Sequence, residues 1–212
     1  MLCAEEKSLL VAEFDGLVRK HFVPDVLRSL FEERSGRAEF GSTTRTLLCV
    51  ESPSSGPIQR EGVLASLARM APQHDGTLDP CTDAFAFVSF ADAHSALQMA
   101  VALLRAMARA RLRMALASGR CQIALCSAAG QDFMILLGRE RARVRALALR
   151  AAPGTLQLAP EAYEALQTTI GKDLGSCVVL AEFEGGELTE VSLTLPPDRS
   201  AELSSFAGLG LT

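Results

Sequence analysis

The chain of 212 residues contains no tryptophan and no asparagine, a single tyrosine, and three lysines (Lys7, Lys20, Lys172) against eighteen arginines. Its six cysteines, at 3, 49, 81, 121, 126 and 177, form no Cys-x-x-Cys pair, and His21, His74 and His94 are far apart in sequence. That spacing excludes a zinc knuckle or a Cys-x-x-Cys redox motif. No apolar run approaches the roughly 20 residues needed to cross a bilayer. Glu5, Glu6 and Lys7 interrupt the start after four residues, so no secretory signal is expected there. These absences predict a cytoplasmic protein with reduced, mostly buried thiols and no membrane partner.

What is present suits a globular domain with a real core. Hydrophobic residues make up 49% and charged residues 22%, and the net charge is -4. That balance marks neither a disordered chain nor a general nucleic-acid binder.

Residues 5 to 34 have helical spacing in two pieces. Leu9, Leu10, Phe14, Leu17 and Val18 recur on one side, and Pro24 opens the second piece, DVLRSLFEE. Residues 35–43 read as a loop and TRTLLCVE as a central strand over 44–51. After a turn-rich SPSSGP comes a helix over about 59–71, then strands near 77–81 and 84–90. Between those strands stands a bare acid, Asp83.

ADAHSALQMAVALLRAMARA is the clearest helix, with Asp92 at its start and arginines at its end. LRMALAS and CQIALCS read as a hairpin turning at Gly119, which would put Cys121 and Cys126 on opposite faces of a strand. QDFMILLG is a strand, GRERARVRALALR a helix, TLQLAP a short strand and PEAYEALQ a helix opened by proline. SCVVLAEFEGGELTEVSLTL closes as a hairpin turning at Gly185-Gly186. Hairpins among alternating helices and strands argue for an α+β or mixed α/β sandwich rather than a wholly parallel sheet.

The order of these segments, from His21 to about Leu195, resembles the catalytic domain of class III adenylate and guanylate cyclases. The landmarks are HFVPDVLRSLFEE, TLLCVESPSSGP, GTLDPCTDAFAFVSF, ADAHSALQMAVALLRAM, LRMALASG and DFMILLGRERARVRALALRAAPGTLQLAPEAYEAL. The resemblance implies an α+β fold, a mixed sheet flanked by helices with a ferredoxin-like core. It divides the chain into an N-terminal helical segment (1–40), a cyclase-like domain (41–196) and a flexible tail (197–212). It further implies a dimer, homodimer or heterodimer with another cyclase-like domain, and a nucleotide as ligand.

In that family two carboxylates hold two divalent ions, a lysine helps read the base, an asparagine orients the ribose and an arginine steadies the transferring phosphate. The metal carboxylates fall on Glu51 and Asp83. The base-reading lysine has no counterpart in Leu78-Asp79-Pro80, and Lys20 is the nearest lysine in the chain. The asparagine position falls on Ala142, and no realignment can supply an asparagine. The arginine position falls on Ala146. Arg145 is one residue away, which on a helix is a turn of about 100°. Arg141 and Arg145 are the candidate phosphate ligands.

Losing one preorganised electrostatic donor lowers rate by about 10² to 10³. The expectation is therefore a catalytically inactive cyclase-like domain acting as a dimerisation, regulatory or ligand-sensing module in nucleotide signalling, with no cofactor required. The alternative is an active adenylate or guanylate cyclase with a remodelled site using Mg²⁺ or Mn²⁺. Two oxygen ligands alone hold Mg²⁺ weakly without a triphosphate to complete the octahedron. The arginine-rich 139–150 helix lacks interleaved aromatics, so a solvated or pairing face is expected rather than a nucleic-acid surface. EGGELTE at 184–190 reads as a hairpin turn.

Overall fold

Eight strands form one mixed sheet in the computed structural model, which describes residues 4–33, 35–51, 57–173, 178–184 and 187–194. The sheet path is β2 (Gly76–Leu78), β3 (Phe85–Phe90), β1 (Arg37–Glu51), β4 (Arg113–Ala128), β6 (Thr155–Leu158), β8 (Glu187–Thr194) and β7 (Val178–Glu184). β5 (Gln131–Leu137) pairs with β4 off this path. Only β4 and β6 run parallel among the described pairings. The α+β reading holds.

Strand alternation divides the core in two. Leu48, Val50, Ala86, Val88, Phe90, Met114 and Leu116 pack with α3 (Pro57–Met70), α4 (Ala93–Ala106) and α6 (Pro160–Asp173). Leu47, Cys49, Phe85, Phe87, Ala115 and Ala117 pack against Val144, Leu147 and Ala148 of α5 (Arg139–Arg150). Every residue of β3 is buried, which is why FAFVSF is apolar with hardly an interruption. Asp92 caps α4 by accepting a 2.8 Å hydrogen bond from the Ser95 amide.

A third cluster docks α1 (Ala4–His21). Phe14 and Val18 bury themselves against Ala124, Cys126, Ile135 and Leu137, and Phe22 stacks on Phe133 at 4.6 Å between ring centroids. Leu9, grouped with this stripe by spacing, instead points to solvent. After α2 (Pro24–Leu27) the backbone widens into a π-helical turn over Arg28–Glu32.

Three local expectations are corrected. The 35–43 segment is not a loop but the first half of β1, paired with β4 from Arg37↔Ser127 onward. The 112–127 stretch is no hairpin: β4 runs straight through Gly119, which sits opposite Arg45 in the ladder. A Cβ on Gly119 would stand 3.2 Å from the Glu140 carboxylate, so the glycine clears space for a side chain of α5 rather than turning the chain. The turn falls at Ala129 and Gly130, both at positive φ. The strand expected near 77–81 ends at Leu78.

The step from 40 to 41 lies inside β1. Gly185-Gly186 and the 197–212 tail lie outside the described residues.

Candidate functional site

Asp83 sits in the loop that enters β3. Its Oδ1 accepts the Phe85 amide at 3.1 Å and its own amide donates to the Phe85 carbonyl at 3.2 Å, fixing the carboxylate at the sheet margin. The other oxygen, Oδ2, lies 3.1 Å from Lys20 Nζ, delivered from the last turn of α1. Partial burial disfavours the charge, but the Phe85 amide, Lys20 and Arg145 outweigh it and hold the carboxyl below its ordinary value.

Glu51 ends β1, opposite Phe85 on one side and Arg113 on the other. Its carboxylate lies 3.6 Å from the Arg113 guanidinium. Its Oε2 is buried without a hydrogen bond among the described residues. Arg145 is exposed on α5, its guanidinium 4.4 Å above the centroid of the Phe85 ring. Glu51, Asp83 and Arg145 are thus gathered around Phe85. The Cys49 thiol registers the group from below: burial pushes it far up, Glu51 and Asp83 reinforce the shift, and Arg145 and Arg141 oppose it. His21 is pushed down by burial and by Lys20, with Asp83 opposing.

Arg141 faces inward. Its Nη1 donates to the Leu136 carbonyl at 3.0 Å and its Nη2 to the Cys81 carbonyl at 2.8 Å, over the Phe87 ring at 4.6 Å. Its side chain is 12% exposed. Beside it lies Asp79, which accepts the Cys81 amide at 2.7 Å and the Leu136 amide at 2.9 Å. Burial raises the Asp79 carboxyl, against the pull of Arg141 and the two amides. Together Asp79 and Arg141 pin the Asp83 loop to β5. Ala142 and Ala146 are exposed on α5 and offer no polar group there.

Two of these partnerships were not foreseen. Nothing in the sequence ties Lys20 to an acid 63 residues away, and Asp79 before a proline signals a turn rather than a buried anchor.

A divalent ion fits this arrangement poorly. Each candidate carboxylate already faces a cation of the chain, and no group of three or more metal-ligating side chains exists among the described residues.

No protein-family model and no curated protein sequence matches the chain. Solved structures do. The adenylyl cyclase CyaB from P. aeruginosa superposes with a TM-score of 0.55 at 15% identity, over 76% of this chain and 98% of that one. The non-canonical dimeric guanylyl cyclase domain of the RhoGC fusion protein from Blastocladiella emersonii gives 0.58 at 9% identity, over 74% and 97%. The guanylate cyclase domain of RhGC from Catenaria anguillulae, solved in complex with GTP, gives 0.54 at 10%, over 72% and 97%. The chain has the fold of the class III adenylyl/guanylyl cyclase catalytic domain. No helix among the described residues is long and apolar enough to span a membrane.

Proposed function

We propose that this chain is a catalytically inactive cyclase-like domain serving as a dimerisation, regulatory or ligand-sensing module in nucleotide signalling. The observation that carries the reading is the occupation of Asp83 by Lys20, on a fold whose α5 presents Ala142 and Ala146 where the resemblance expects an asparagine and an arginine. A phosphoryl transfer without those groups lacks the preorganised charge that supplies most of the rate. The reading requires no metal cofactor. A nucleotide is the expected ligand, met by Arg145 at its phosphates, and a second cyclase-like domain is the expected protein partner. The dimeric and the GTP-bound cyclase domains among the similar folds support both expectations.

One feature favours the alternative, an active cyclase with a remodelled site: Glu51, Asp83 and Arg145 share one margin of the sheet, around Phe85. The deciding experiment incubates the purified chain with ATP and with GTP, in Mg²⁺ and in Mn²⁺, and measures cyclic nucleotide by mass spectrometry. No product above an Asp83→Ala control is expected. Product that disappears in that variant would sink the inactive reading.

A further inference from the structure

The two carboxylates and the helix that crosses them pose a question beyond catalysis: what balances their charge? Asp83 faces Lys20 at 3.1 Å and Glu51 faces Arg113 at 3.6 Å, with Arg145 exposed over the ring between them. Two negative side chains are therefore met by three positive ones. Lys20 is placed by α1, whose position is fixed independently at two points. Phe14 and Val18 are buried against β4 and β5, and Glu13 Oε2 accepts the Gly138 amide at 2.8 Å. Glu13 and Lys20 are seven residues apart, about two helical turns, so one edge of α1 carries both contacts. Gly138, at φ 77°, suits this docking, because a Cβ there would meet Leu10 Cδ2 at 3.3 Å.

We propose that Lys20 is a resident cation for Asp83, held in place by α1 so that the Glu51–Asp83 pair does not take up a divalent ion. The inference rests on the inactive reading and supplies a means by which the site would keep both carboxylates without holding a divalent ion. A dication approaching Asp83 must displace the Lys20 ammonium and then meet its charge and that of Arg145, and one reaching Glu51 meets Arg113. Two carboxylates alone offer too few ligands to overcome that repulsion. The apolar seam, not the ion pair, holds the helix. Both members of the pair are well exposed, 60% for Lys20 and 39% for Asp83, and such surface pairs add little to stability. Replacing Lys20 therefore removes the cation and leaves α1 docked.

The test is a Mn²⁺ titration of the full chain, without nucleotide, reading free Mn²⁺ by electron paramagnetic resonance. Lys20→Ala is expected to bind Mn²⁺ about tenfold or more tightly than wild type. Lys20→Arg, which keeps the positive charge, is expected to match wild type, and Lys20→Ala combined with Asp83→Ala to lose the gain. Equal affinity in wild type and Lys20→Ala, whether both bind or neither does, would overturn the inference. So would a gain that survives removal of Asp83. Equal binding would count against Lys20 even if no cyclic nucleotide is ever formed, so the two readings fail separately.

Discussion

Asp79 Oδ2 lies 3.9 Å from Arg141 Nη1 with the acid's side chain fully buried, and both residues also hold the main chain at Cys81 and Leu136. The pair is a structural pin behind the Asp83 loop, in which both terminal nitrogens of Arg141 donate to main-chain carbonyls. Removing one partner of a buried ion pair strands the other's charge, at about 3–5 kcal/mol. Asp79→Ala and Arg141→Ala are each expected to unfold at markedly lower urea, read by circular dichroism. An unchanged midpoint in either variant would refute the pin.

Arg145 should behave in the opposite way. It is exposed, and its contact with Phe85 contributes about 0.5–1 kcal/mol. Arg145→Ala is expected to unfold within that margin of wild type, yet to weaken binding of ATP or GTP about tenfold in equilibrium dialysis, the worth of one charge-assisted contact. Undiminished affinity would remove Arg145 from the ligand site.

Gly76 starts β2 opposite Phe90, and a Cβ there would stand 2.6 Å from Phe90 Cε1 and 2.9 Å from Val88 Cγ1. Both neighbours are fully buried, so neither can move aside cheaply. Gly76→Ala is expected to destabilise the domain by about 1–3 kcal/mol through overpacking. Thermal unfolding that matches wild type would show that the β2 edge yields.

The thiols make the alkaline limit predictable. Burial pushes Cys81 up to about 12 and Cys121 and Cys126 up to about 11, from an ordinary 9.0. A raised thiol favours the folded state below pH 9.0 and loses that advantage as pH climbs toward about 11, because the unfolded chain then ionises first. Stability is expected to fall across that window, less steeply in Cys126→Ala. Cys49, Cys81, Cys121 and Cys126 should resist alkylation at pH 8 until the protein is unfolded, which peptide mapping can follow. Rapid native labelling of any of the four would contradict their burial.

Much of the architecture was legible because burial repeats with the local period. FAFVSF, the α4 helix with its Asp92 cap and the apolar LLCV run each carry their partner surface in their own spacing. Glycine misled in two places for one reason. Gly41, in the expected 35–43 loop, and Gly119, at the expected turn, each have a ladder partner on the facing strand, Ile123 and Arg45, and a glycine so paired simply continues a strand. The positive-φ turn went to Ala129-Gly130, whose alanine gives little signal.

The sequence by itself determined the composition of the site. With no asparagine in the chain and alanine at 142 and 146, no folding could supply those polar groups. It also determined the order of helices and strands, because hydrophobic periodicity is a local property. Only the tertiary structure decided which charges meet. Lys20 joins Asp83 across 63 residues, and Arg141 turns inward to Asp79 while Arg145, four residues on, stays exposed over Phe85. Such pairings depend on how α1 and α5 lie across the sheet and on where each flexible side chain ends, and neither is written in the spacing of any one segment.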